Sequence, residues 1–148
     1  MDVLRKPIVI ILVTIVITIL VVYLTPLKWL NLKEPTISDV LPTLFNDAYK
    51  QNTDKYIFID VRPTEVYNAS HAKGSINIPL HLLYDERKNL PKSGKKISLI
   101  CSGGRASGVA YSYLEHFGFS NLTRISGGVE AWEKAGLPME RASDNKNN

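Results

Sequence analysis

One cysteine, Cys101, stands in a chain of 148 residues. That scarcity excludes an internal disulfide framework, a C-x-x-C redox pair and any multi-cysteine zinc or iron–sulfur centre. Histidine is nearly as rare. His71, His81 and His116 are scattered without ligand spacing, so neither a metal nor a cofactor is expected. A strong charge of one sign is also missing. Eighteen Lys and Arg stand against fourteen Asp and Glu, and the resulting +4 is too weak to indicate nucleic-acid binding. Nine Gly and eight Pro are ordinary counts, which excludes collagen-like and wholly disordered chains. The length suits one domain rather than a large multidomain enzyme.

What the sequence does have, near its start, is an uncharged apolar run. Ile8 to Leu24 holds only Thr14 and Thr18 as polar members, and Thr25, Pro26 and Leu27 extend it to twenty residues. About twenty apolar residues make a helix that crosses about 30 Å of hydrocarbon. Threonine hydroxyls bond back to helix carbonyls, so they cost little in such a helix. Arg5 and Lys6 precede the run, while Tyr23, Lys28 and Trp29 sit near its far end. A cleaved signal would have a shorter core followed by small residues, and the exit VVYLTPLKWL has none. The expected organisation is therefore a short tail over 1–7, one transmembrane helix over 8–27 and a linker over 28–36. An α/β domain over 37–140 and a disordered tail over 141–148 complete it. The slight excess of basic residues before the run places the domain on the extracytoplasmic side of the membrane, as a single-pass protein.

In the domain, Val40, Leu41, Leu44, Phe45 and Ala48 have helical spacing, with Ser38 as N-cap and Pro42 in the first turn. Tyr56–Asp60 (YIFID) and Lys96–Ile100 (KISLI) are nearly continuous apolar runs of strand length, as in strands covered on both faces. Ser75–Ile78 and Leu122–Ile125 read as shorter strands. Helices are expected over Leu80–Leu90, from the Cys101 loop through Phe117, and over Val129–Lys134. The middle one should turn Ala106, Val109, Ala110, Tyr113, Leu114 and Phe117 inward. Strands alternating with helices predict a mostly parallel central sheet flanked by helices.

The segment richest in chemistry is SLICSGGRASGVAYSYL, Ser98 to Leu114. A buried strand ends at Cys101, and Ser102-Gly103-Gly104-Arg105 leads straight into a helix. In open parallel sheets, sites form at the carboxyl ends of strands. Glycines let such a loop curl so that backbone N–H groups and the helix start face one centre, which favours an anion there. A thiolate, a persulfide or an oxyanion suits that centre. The competing reading is a buried, inert cysteine, the commonest state of a free one.

Three ordered pieces make the domain similar to the rhodanese family of sulfurtransferases. Ile59–Pro79 (IDVRPTEVYNASHAKGSINIP) resembles that family's D-V-R, E-x-Y/F and H-x-x-G-A/S-I-N-I-P run. Cys101–Ser107 (CSGGRAS) resembles its loop C-x-x-G-x-R-S, and Gly127–Trp132 (GGVEAW) its closing G-G-x-x-A-W. The resemblance runs from about Ser38 to Leu137 and implies a rhodanese-like fold. It implies that Cys101 is the nucleophile, taking sulfane sulfur from thiosulfate or a persulfide and passing it to a thiol or cyanide without a cofactor. Ser102, Gly103, Gly104, Arg105, Ala106 and Ser107 would form the substrate loop. Asp60, Arg62, Glu65, His71, Gly127 and Gly128 would support it, with Arg62 pairing either Asp60 or Glu65.

The chain departs from the family pattern at Ala106, where the loop usually carries Arg. Its one cation, Arg105, either pairs with an anionic donor or points to solvent. A second reading follows, a non-catalytic rhodanese-like binding module tethered to the membrane. Cysteine phosphatases, with which the cradle is shared, place Arg six residues after the nucleophile, where this chain has Ser107.

Overall fold

The computed structural model describes residues 2–24 and 37–142; in the first helix the side chains described are Pro7 and 9–21. The expected linker over 28–36 lies outside the described residues, as do residues 143–148 of the expected tail. The chain divides into two units, Met1–Glu34 and Pro35–Asn148.

The first unit holds α1 (Asp2–Leu24). Its threonines behave as expected, Thr14 Oγ1 donating to the Ile11 carbonyl and Thr18 Oγ1 to that of Thr14, both at 2.8 Å. Its role does not. Among the described residues no helix is long and apolar enough to cross a membrane. The expectation of a transmembrane helix over 8–27, and of a single-pass protein with its domain on the extracytoplasmic side, is corrected accordingly.

The second unit is the α/β domain. Its two apolar runs become the neighbouring central strands, β2 (Tyr56–Asp60) and β5 (Lys96–Ile100), with β3 (Ser70–Ala72) and β4 (Ile76–Asn77) between them in sequence. With β1 (Asp39–Val40), β4 (Ile76–Asn77) and β6 (Leu122–Ile125) they form one sheet in the order β1-β6-β5-β2-β4, every pairing parallel. Successive side chains of a strand point to opposite faces, and both faces are covered. Ile59, Ile97 and Leu99 pack on one side with Leu83, Ala110 and Leu114. Phe58 and Ile100 pack on the other with Phe45, Val129 and Trp132. The first set engages α4 (Leu83–Glu86) and α5 (Arg105–His116), the second α2 (Pro42–Gln51) and α6 (Gly128–Lys134). The α/β class with a mostly parallel sheet flanked by helices is thus as expected.

The differences are local. Asp39–Val40 pair with β6 instead of opening α2, which starts at Pro42 with Leu41 as its N-cap in place of Ser38. Leu80–Leu90 is not one helix but α4 followed by a 3-10 turn, Arg87–Asn89. Glu65 and Tyr67 lie on a short helix, α3 (Thr64–Ala69). His71 sits in β3 (Ser70–Ala72), an unexpected strand that pairs antiparallel with β7 (Met139–Arg141), which takes in the first residue of the expected tail. On α5 the buried residues are Ser107, Ala110, Tyr111 and Leu114, whereas Val109 is 55% exposed. Its position borders a cleft rather than the core.

Candidate active site

Cys101 is the first residue beyond β5, at the carboxyl edge of the sheet. Ser102 to Gly104 bridge the gap to α5, which begins at Arg105. The turn is closed by Gly104 at φ +98°, a conformation L residues with side chains rarely hold. So shaped, the loop directs the Gly104 N–H to the Cys101 sulfur at 3.2 Å. Beneath it, the thiol donates to Ser107 Oγ at 3.4 Å, and that hydroxyl donates to the Gly104 carbonyl at 3.1 Å. Because a hydroxyl rotates to suit its partners, Ser107 can turn its proton toward a sulfur anion when the thiol has none to give.

The loop is held from one side by α6. Val129 N–H donates to the Cys101 carbonyl at 2.8 Å and Glu130 N–H to that of Ser102 at 3.1 Å. Gly128 permits the approach, since a Cβ there would lie 2.1 Å from the Cys101 carbonyl oxygen. Gly127 precedes it at φ +70° as N-cap of α6. Of the two glycines expected to support the loop, Gly128 is thus the one at which the backbones meet closely.

From β2 comes the opposite wall. Asp60, fully buried, accepts the Arg62 guanidinium through both oxygens, with Nη2 at 2.6 Å from Oδ2 and Nε at 3.0 and 2.9 Å. Arg62 Nη2 also donates to the Ser70 carbonyl at 2.8 Å. Of the two expected partners, then, Arg62 takes Asp60; Glu65 is exposed on α3. The pair ties the end of β2 to β3, where His71 stacks on Tyr67 at 3.8 Å between centroids and reaches the Glu140 carboxylate at 3.2 Å. Burial, the largest cause, holds the Tyr67 phenol above its ordinary value. Removing one member of a buried pair strands the other charge at a cost of about 3–5 kcal/mol. Asp60→Ala is therefore expected to lower the midpoint of thermal unfolding by about 15 °C or more, measured by circular dichroism, while Glu65→Ala leaves it near that of the parent.

Between these walls lies an open cleft of about 830 Å³. Cys101, Ser102, Gly103, Arg105 and Ala106 line it from the loop side. Gly104 and Ser107, expected in the same loop, lie behind it instead. The far wall is Val61, Pro63, Pro79 and Leu80, with Arg62 and His81 also lining it. Of this wall the sequence pointed only to Arg62; the signal for the rest was its position just after β2 and β4. Cys101 is 2% exposed, so its sulfur forms the floor of the cleft rather than standing in solvent.

A second omission lies behind the loop. Arg124 of β6 grips the Asp39 carboxylate with Nε at 2.6 Å and Nη2 at 2.5 Å, and turns Nη1 to the Gly104 carbonyl at 3.4 Å. Its guanidinium is pushed above its ordinary value, chiefly by the hydrogen bonds to Asp39; burial opposes this, and attraction to Asp39 and to the Cys101 sulfur adds to it. Among the described residues no group of three His, Cys, Asp or Glu could hold a metal ion.

The profile described as a rhodanese-like domain matches residues 45–135. The thiosulfate sulfurtransferase GlpE of Actinobacillus succinogenes is 30% identical over 90 residues, 61% of this chain and 80% of that protein. The adenylyltransferase and sulfurtransferase UBA4 of Saccharomyces cerevisiae is 37% identical over 96 residues, but those are 57% of this chain and only 22% of that protein. Among solved structures, a rhodanese-related protein of Thermoplasma volcanium is 27% identical with a TM-score of 0.60, covering 70% of this chain and 97% of that one.

Proposed function

Because the chain belongs to the rhodanese-like domain family, we propose that it is a sulfurtransferase working through a persulfide on Cys101. The Cys101 thiolate attacks the outer sulfur of thiosulfate or of a persulfide. A new S–S bond forms, the donor's S–S bond breaks, and sulfite or a thiolate leaves with the electron pair. An acceptor thiolate, or cyanide, then attacks the outer sulfur and releases the Cys101 thiolate. Neither half needs a cofactor, since what is required is a stable anion on sulfur in both states.

The observation that carries this reading is the Gly104 N–H, 3.2 Å from the sulfur on the floor of a cleft that a small donor can enter. Ser107 supports it from beneath, and Arg105 stands at the mouth. The test is mass spectrometry of the protein after exposure to thiosulfate and, separately, to an organic persulfide. Cys101 should gain one sulfur atom, about 32 Da, and lose it on addition of a thiol. Ala106, where the family's loop usually has Arg, favours a second reading, a non-catalytic rhodanese-like binding module. No adduct with any sulfane donor would select that reading.

Ala106 lines the cleft beside the sulfur. An arginine there would meet the thiosulfate dianion with charge-assisted hydrogen bonds. Ala106→Arg is expected to raise kcat/KM for thiosulfate about tenfold, or about 1.4 kcal/mol, with a much smaller change for an uncharged organic donor. Steady-state assays with both donors measure the contrast.

A further inference from the structure

The loop at Cys101 carries a single cation of its own, Arg105, which is exposed at the cleft mouth. A second guanidinium approaches the loop from the side away from the cleft, on a strand that lies distant in sequence. Arg124 and Asp39 are register partners in the parallel pairing of β6 with β1. Their side chains therefore start side by side, and the Asp39 carboxylate takes the Nε and Nη2 edge of the guanidinium at 2.6 and 2.5 Å. The remaining corner, Nη1, is thereby aimed at the Gly104 carbonyl at 3.4 Å.

That carbonyl is a point of convergence. It also accepts from the Gly108 N–H and from Ser107 Oγ, each at 3.1 Å. Gly104 in turn supplies the N–H that meets the Cys101 sulfur. The approach needs Gly108, because a Cβ there would come within 2.9 Å of Arg124 Nη1. The ion pair with Asp39 leaves that nitrogen little room to retreat.

We propose that Arg124, clamped by Asp39, is a positioning residue for the sulfur chemistry: it fixes Gly104 from behind and supplies, from β6, positive charge that the loop lacks at Ala106. This rests on Cys101 being the reactive group. The Asp39–Arg124 pair acts as a dipole, with its carboxylate on the far edge and its cationic corner toward the loop. Charge facing Cys101 from the other elements is of both signs. Arg105 begins α5, Arg62 on the far wall is neutralised by Asp60, and His81 lines the same cleft. The Glu130 carboxylate of α6 lies within 3.5–3.7 Å of where a Gly103 Cβ would stand. Against that mixture, loss of Arg124 should be felt as a weaker hold on a sulfur anion.

The rate of Cys101 alkylation by iodoacetamide, followed against pH in the full chain, tests this without any sulfur donor. Arg124→Gln is expected to displace the curve toward higher pH and to slow alkylation about tenfold on its lower limb. Arg124→Lys, which keeps the charge, should return it most of the way to the parent's. Gly108→Ala, which keeps every charge but displaces Nη1, should move it in the same direction as Arg124→Gln, and decides the matter if that variant fails to fold. A parent-like curve for Arg124→Gln, or for Gly108→Ala where only that variant folds, would overturn the proposal. So would equal shifts in the Gln and Lys variants. Because alkylation reads the thiol alone, this result stands apart from whether thiosulfate or a persulfide delivers sulfur.

Discussion

Cys101→Ser is expected to remove sulfur transfer altogether, lowering turnover by about a thousandfold or more to the uncatalysed exchange, because no other residue can hold the persulfide. Cys101 is the chain's one thiol, so no neighbouring cysteine can take over. The oxygen of serine is a poor nucleophile toward sulfane sulfur, and its anion is far less accessible near neutral pH. The fold should nevertheless survive. Cys101 belongs to the core cluster with Leu99 and Ala110, and placing a hydroxyl at a site 2% exposed costs about 1–2 kcal/mol if unpaired. The Gly104 N–H and Ser107 Oγ remain to bond it. The measurements are the sulfur adduct by mass spectrometry, sulfite release from thiosulfate, and thermal unfolding of the same preparations. Retained sulfite release by a folded Cys101→Ser protein would remove the persulfide from the mechanism.

How much of this site could be read from the chain depends on how local its physics is. The Cys101 loop was legible because a strand, two glycines and a helix start follow one another, and the two groups that bond the sulfur, the Gly104 N–H and Ser107 Oγ, lie within seven residues of chain. The central strands were legible for a similar reason, since YIFID and KISLI each carry a continuous apolar run that only a doubly covered strand explains. Asp39 and Arg124 lay beyond reach. They are eighty-five residues apart, and only the parallel register of β1 on β6 makes them neighbours. The same register explains the misread start of α2. Val40 continues the helical spacing of Leu41, Leu44 and Phe45, but its backbone has a partner at Ile125, and pairing there prevails. Arg62 was ambiguous because Asp60 and Glu65 are both near in sequence. Burial decided it, since the fully buried carboxylate of Asp60 must be matched.

Gly128→Ala offers the sharpest separation between the loop's support and its chemistry, for Gly128 bears no reactive group. The residue stands at φ +63°, where an L side chain is strained, and it faces the loop at distances no Cβ tolerates. The added methyl would lie 2.1 Å from the Cys101 carbonyl oxygen and 2.3 Å from that of Ser102. Both contacts are with backbone, so neither can be relieved by turning a side chain away. Either α6 retreats, giving up the Val129 and Glu130 N–H bonds to those carbonyls, or the loop shifts and carries the sulfur with it. Strain of this kind together with two lost hydrogen bonds is expected to cost about 2–4 kcal/mol, a fall of about 10–25 °C in the unfolding midpoint. Sulfur transfer should fall further than that loss implies, by about a hundredfold at a temperature where the variant is folded, because a displacement of about 1 Å is enough to spoil reactive alignment. Gly136→Ala is the matched control. Its φ is +66°, nearly the same, but no atom lies within 4 Å of its Cβ position. It should therefore show the backbone strain alone, with a smaller loss of stability and parent-like transfer. If the two substitutions depress transfer equally, the close contact between α6 and the Cys101 loop is not what holds the sulfur in place.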